Sequence, residues 1–296
     1  MPGTGRRRLP IAALLVATAI WGSTFVVLSG ILQSMPVWSL LLWRFGIATT
    51  LLLILRPRAL RRLDRTDLRH AGVLGLMLWG GYALQTWGLL TISATVSGFI
   101  VGMFLVFTPF VAWAMTREPL HASVWGAVLL ATIGLVLLSF SGLSISTGAV
   151  LTLGAALLFA IQIVGLSLWT EPAKAYGMAV VQLAVVTVMS GIATPFESGA
   201  KVPPTPQVWV ALLYLAVFAT SVAFVIQSWG QAHVAPTQAA VILTMEPVFA
   251  GLFGFLAGEP LTLRIVLGGV CVLTAMYLVE LGPRRAREAA LARLEL

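Results

Sequence analysis

The sequence predicts an all-α integral membrane protein of ten transmembrane helices, arranged as two inverted five-helix repeats. Three observations predict it. Of 296 residues, 59% are hydrophobic and only 9% charged, where a soluble domain carries about 25% charged residues. Such a chain cannot cover a surface that faces water, so lipid must be its solvent. Its arginines and lysines collect between alternate apolar runs, as they do on the inner side of a membrane. Short motifs of the first half also recur, in the same order, in the second.

A helix that crosses the hydrocarbon needs roughly 20 apolar residues. Span one is read at 10–31. Arg6-Arg7-Arg8 before it imitates a signal peptide. The apolar run outlasts the roughly 7–15 residues of a signal core and shows no small-x-small cleavage site, so it is read as a membrane helix. Spans two to five fall at 37–55, 70–91, 94–115 and 121–140; spans six to ten fall at 147–169, 176–195, 207–229, 236–257 and 261–281. Only Ile92 and Ser93 separate spans three and four, which makes them a tight antiparallel hairpin. The first repeat is 1–145 and the second 146–296, ending in a short basic tail.

With the N-terminus in the cytoplasm, fifteen of the 18 basic residues face inward. They are Arg6, Arg7, Arg8, Arg56, Arg58, Arg61, Arg62, Arg65, Arg69, Arg117, Lys174, Arg284, Arg285, Arg287 and Arg293. Lys201 and Arg264 fall outside, and Arg44 lies within span two. A missed span would reverse half the loops and erase the asymmetry, so the count and the bias support each other. The expected location is the cytoplasmic (inner) membrane, multi-pass, with both termini cytoplasmic. The same clustering excludes nucleic acid as a partner despite the net charge of +8. The single cysteine, Cys271, allows no internal disulfide.

Gln85-Thr86-Trp87-Gly88 matches Gln227-Ser228-Trp229-Gly230 at an offset of 142, and Gly126 to Thr132 aligns with Gly268 to Thr274 at the same offset. Pro109 and Pro247 are 138 apart, and both 94–120 and 236–261 end in Glu-Pro-Leu. Five spans per copy is an odd number, so the second copy enters the membrane from the opposite side, as in many secondary transporters.

Ile20-Trp21-Gly22-Ser23-Thr24-Phe25 resembles the opening helix of the drug/metabolite transporter superfamily, in its ten-span EamA-type branch. Trp43-Arg44-Phe45, Thr108-Pro109, Glu118-Pro119-Leu120, Glu246-Pro247 and Gly258-Glu259-Pro260 extend the resemblance over essentially the whole chain. The sequence also resembles the aromatic-amino-acid exporters of that branch. The resemblance implies an efflux or exchange carrier, with a substrate cavity between the halves and spans five and ten at the periphery. The sequence departs from its own symmetry at Thr108, where the second copy has Glu246.

Glu246 is the only carboxylate near the middle of a span. A charge there costs about 2.5 kcal/mol or more, so it needs a partner, water or a proton. It is read either as a substrate-ammonium contact or protonatable coupling group, or as a helix-breaker that props open the Pro247 kink. Arg44, the only cation well inside a span, suits either capture of a substrate carboxylate or a structural ion pair or snorkelling. Its repeat partner is Gln182.

Trp79, Tyr82, Gln85 and Thr86 share a stripe of span three, as Trp21 and Thr24 do on span one. Gln162, Thr220, Gln227, Gln238 and Thr244 are the notable polar positions of the second copy. These side chains are candidates for a substrate site by stacking and a few hydrogen bonds; helix packing and interhelical bonding are the alternatives. Trp38, Trp87, Trp169, Trp209 and Trp229 are assigned to interfacial belts. Gly98-x-x-x-Gly102 is read as a helix contact. Glu118 and Glu259 end spans four and nine beside a proline, where an acid suits a helix N-terminus; gating pairs with arginines are the other reading.

His70, His121 and His233 are isolated, with no metal spacing. No phosphate loop of the G-x-x-x-x-G-K-[ST] type occurs. The sequence calls for no cofactor, no metal and no ATPase subunit. The expected partners are a small-molecule substrate and the lipid bilayer, with the chain acting as a monomer or homodimer. The expected function is export of amino acids, aromatic or neutral, or of related small metabolites by alternating access. A carrier for another metabolite or drug, or a membrane-embedded lipid-modifying enzyme, are the alternatives; the last would need a nucleophile or metal cluster that the sequence does not show.

Overall fold

Apolar segments of this length must satisfy their backbone groups internally, and helices do so residue by residue. The computed structural model describes residues 4–117, 122–141, 144–171, 173–223, 226, 242–243 and 245–294. The first half holds α1 (Thr4–Leu32), α2 (Val37–Leu55), α3 (Arg65–Gly88), α4 (Ala94–Val101), α5 (Phe104–Thr116) and α6 (Ala122–Ser139). The second holds α7 (Thr147–Trp169), α8 (Ala175–Ala193), α9 (Pro206–Leu213), α10 (Glu246–Leu256) and α11 (Leu263–Leu294). A two-residue ladder, Phe140–Ser141 against Ser144–Ile145, joins the halves and is the one strand pairing among the described residues.

Among the described residues, five helices are long and apolar enough to cross a bilayer: Leu9–Ile31, Val37–Leu55, Ala94–Thr116, Thr147–Trp169 and Ala175–Glu197. Four shorter apolar helices follow the expected spans five, eight, nine and ten. Helix α3 is long enough at 24 residues, but Arg65, Asp67, Arg69 and His70 in its first turns dilute its hydropathy. The end of expected span eight and the start of expected span nine, with Gln227, Gln238 and Thr244, lie outside the described residues.

Helix starts follow the capping signals. Asp64 accepts from the Thr66 and Asp67 N–H groups while Asp67 reaches back to the Asp64 N–H, a reciprocal capping box for α3. Thr205, 141 positions later, caps α9 ahead of Pro206. Helix α9 then runs into a π-helical stretch, Tyr214–Val222.

Close packing holds the bundle. Helix α2 lies against α8, and α3 against α7 and α8. The α4 face that carries Gly98 and Gly102 lies on α10, as the spacing predicted. A Cβ on Gly98 would meet the Ala250 Cβ, and one on Gly102 would stand 2.9 Å from the Pro247 Cγ. Helices α6 and α11 pair through Gly134 and Gly268, each facing the other's carbonyl. Span four breaks at Gly102 and Met103, not at Pro109, which stays inside α5. The break sits where the backbone must come close to Pro247.

Lipid tails are as apolar as leucine, so such contacts stand in for a hydrophobic driving force. At the α3–α7 crossing a Cβ on Gly88 would run into the Thr152 hydroxyl and lie 2.9 Å from the Gly148 carbonyl. Gly88→Leu is expected to lower stability by on the order of 3 kcal/mol. Thermal unfolding in detergent checks this, and an unchanged transition would contradict the packing.

Candidate functional site

Arg44 sits in the middle of α2 and is 2% exposed. It neither snorkels nor pairs with an acid. Among the described residues every ion pair belongs to Lys174. Its Nε donates to the Thr220 hydroxyl at 3.3 Å. Its guanidinium lies 5.0 Å from the ring of Tyr82 and 5.1 Å from that of Phe45. Tyr82 is itself set edge-on to Phe159 of α7, at 5.2 Å. Of five guanidinium N–H donors, one is engaged among the described residues, and two aromatic rings lie beside the group. A cation at this depth costs about 2.5–3.5 kcal/mol on insertion scales unless it has a partner.

Thr220 is presented by the π-helical stretch. Its hydroxyl, like that of Ser221, donates five residues back, to the carbonyls of Leu215 and Ala216. Single π turns recur at functional positions because they redirect side chains within an otherwise regular helix. The neighbouring Ala219 carbonyl accepts the Trp21 indole N–H at 2.9 Å.

The opening motif now divides its work. Trp21 reaches the π-helical stretch. Gly22 lets α1 approach α10, where a Cβ would stand 2.5 Å from that of Phe249. Ser23 bonds the Tyr214 hydroxyl at 2.6 Å, and Thr24 turns back to the Trp21 carbonyl.

Glu246 is the first residue of α10 and Pro247 the second. The carboxylate stands at the positive end of a half-helix, a placement that favours an anion. Arg44, Tyr82 and Thr220, from three separate segments, thus share one polar region, and Trp21 bonds the residue beside Thr220.

Other expected members are placed elsewhere. Gln162 donates to Gln182 at 2.7 Å, and Gln182 to the Met178 carbonyl, a buried pair between α7 and α8. Gln85 is buried. Trp79 stacks on Trp38 at 5.6 Å, and Trp38 meets Trp87 edge-on. Trp38 and Trp87 are half-buried and pack against the core together with Trp79. Phe45, Phe159 and Tyr214 were not anticipated; aromatic residues in apolar helices carry no signal that separates lining from packing. Glu259 accepts the N–H groups of Ala94 and Thr95 at 2.7 and 2.9 Å and so caps α4, not the helix that follows it in sequence. Glu197 does the same for α2, at Val37 and Trp38. Glu118 lies outside the described residues. No group of three or more metal-ligating side chains occurs among the described residues.

Where α3 meets the start of α8, Lys174 contacts Asp67 at 2.9 Å and Asp64 at 3.5 Å. The Asp67 N–H holds the Asp64 carboxyl below its usual range, and the bond to Asp67 raises the Lys174 ammonium. The Asp64 contribution is present above about pH 3.9, its unfolded value, and is lost as pH falls through the lower folded value. That of Lys174 is present below about pH 10.4 and is lost as pH rises through the higher folded value. Lys174→Met is therefore expected to lower thermal stability at neutral pH and to do so by less once pH has fallen through the Asp64 value. An equal effect at both extremes would contradict the assignment.

A family model described as the EamA-like transporter family matches residues 8–140 and again 146–281. An uncharacterized transporter of Archaeoglobus fulgidus is 32% identical over 270 residues, which cover 90% of this chain and 84% of that one. The uncharacterized transporter YetK of Bacillus subtilis is 25% identical over 282 residues, covering 90% and 84%. A crystal structure shares the fold with a TM-score of 0.64 at 15% identity, over 96% of this chain and 99% of the other.

Proposed function

Because the chain belongs to the EamA-like transporter family of drug/metabolite transporters, a membrane transporter of small molecules, we propose that it exports neutral or aromatic amino acids. Transport proceeds by alternating access between two inverted five-helix halves of ten spans in the inner membrane, with both termini cytoplasmic. One contact supports a two-fold relation between the halves. The hydroxyls of Thr49 and Thr187 meet at 3.4 Å, and these residues are 138 positions apart, the offset that relates Pro109 to Pro247. A residue that touches its own repeat mate lies on the axis that relates the halves.

The observation that carries the substrate reading is Arg44, buried with no carboxylate among the described residues. Its fork matches a carboxylate in two parallel bonds. The rings of Phe45, Tyr82 and Phe159 take an apolar or aromatic side chain. Glu246, at the mouth of α10, takes the ammonium or a coupled proton.

Proteoliposomes loaded with radiolabelled phenylalanine test this. Saturable efflux, competed by other neutral amino acids, is expected; flux equal to empty vesicles would overturn the reading. Glu246→Gln is expected to remove any dependence on a pH gradient. Normal transport with an unchanged gradient response would take the proton away from Glu246.

A further inference from the structure

We propose that the lipid-facing side of α2 and the basic segment that follows it bind one anionic phospholipid, its acyl chain in a groove and its phosphate among arginines. The groove has a volume of about 550 Å³ and is lined by Leu42, Gly46, Ile47, Thr50, Leu51 and Ile54. Ligand pockets run from about 300 to 1,000 Å³. From Leu42 to Ile54 it follows α2 for about 18 Å at 1.5 Å per residue. That length spans the ~15 Å of one hydrocarbon leaflet, half of a ~30 Å core. Gly46 opens its middle; a Cβ there would meet only the Thr187 methyl, at 3.4 Å.

The occupant is chosen by charge. Two residues past Ile54 the chain enters a segment with six arginines between positions 56 and 69, all exposed. Arg56 is fixed at the groove's end, 5.0 Å from the Tyr176 ring, and the Tyr176 hydroxyl is held by the Leu52 carbonyl at 2.7 Å. The two acids of the segment, Asp64 and Asp67, are taken by Lys174. Among the described residues no arginine here has an ion-pair partner. Uncompensated positive charge at the end of an apolar, chain-length groove fits an anionic headgroup; a soluble phosphate would leave the groove unused.

Native mass spectrometry of the detergent-solubilised full chain tests the proposal, with dioleoylphosphatidylglycerol and dioleoylphosphatidylcholine as probes. The wild type is expected to retain one phosphatidylglycerol in preference to phosphatidylcholine. Removing a basic residue at an anionic surface weakens binding by about fivefold, so Arg58→Gln with Arg62→Gln should bring the two lipids close to parity. Thr50→Phe, at an exposed position in the groove, should reduce retention of both. Equal retention by the wild type, a preference that survives the double arginine change, undiminished retention of both lipids in Thr50→Phe, or glycerol 3-phosphate protecting against thermal unfolding as well as the lipid does would each overturn it. None of these readouts depends on transport, so failure here leaves the transport reading standing.

Discussion

Arg44→Gln is expected to reduce flux of amino-acid substrates by on the order of 100-fold. Two hydrogen bonds to a charged group are lost, each contributing about 1.5–3 kcal/mol, and about 1.4 kcal/mol corresponds to a tenfold change. The change removes a buried charge rather than a packing group, so thermal stability should hold or rise. Arg44→Lys should recover little, because an ammonium cannot reproduce the fork. The readout that separates recognition from structure is a substrate without the carboxylate. Phenylalanine amide, if carried at all, should move equally well in wild type and variant. Wild-type flux of phenylalanine in Arg44→Gln would end the assignment.

Glu259→Ala is expected to cost about 2–4 kcal/mol of stability. Its two oxygens accept the Ala94 and Thr95 N–H groups. These are charge-assisted bonds at the positive end of α4, and the first-turn donors of a helix have no partner of their own. Ser93, which accepts from the Val96 N–H, covers only one further donor. Glu259→Gln should lose about half as much, because one carboxylate oxygen is replaced by a donor and the charge is gone. Thermal unfolding of the two variants and the wild type orders them. Equal transitions for all three would show that solvent or lipid satisfies the α4 terminus as well as Glu259 does.

What could be read in the sequence followed from local pattern. Apolar runs located the helices, and Gly98 with Gly102 announced a close contact. Pro247, at the second position of α10, has no N–H to lose there. Long-range reach was not legible. Glu259 is 165 positions from Ala94, and Glu197 is 160 from Val37; a carboxylate looks the same in sequence whether it caps its own neighbour or a distant helix. The π-helical stretch, which sets Thr220 against Arg44, carries no composition signal. The break at Gly102 and Met103 was not foreseen, because the close approach of Gly102 to Pro247 depends on a partner the local sequence does not contain. The mutual packing of Trp38, Trp79 and Trp87 was likewise not legible from their positions in the sequence.

The inverted arrangement of the halves is tested most directly by sided labelling of two corresponding positions. Thr66 and Gln207, each two residues past the cap of its helix and both exposed, are replaced singly by cysteine, with Cys271 replaced by alanine. In oriented vesicles an impermeant maleimide is expected to reach Thr66→Cys from the cytoplasmic side only and Gln207→Cys from the opposite side only. Labelling of both from one side would contradict the inversion, and with it the shared site built from the two halves.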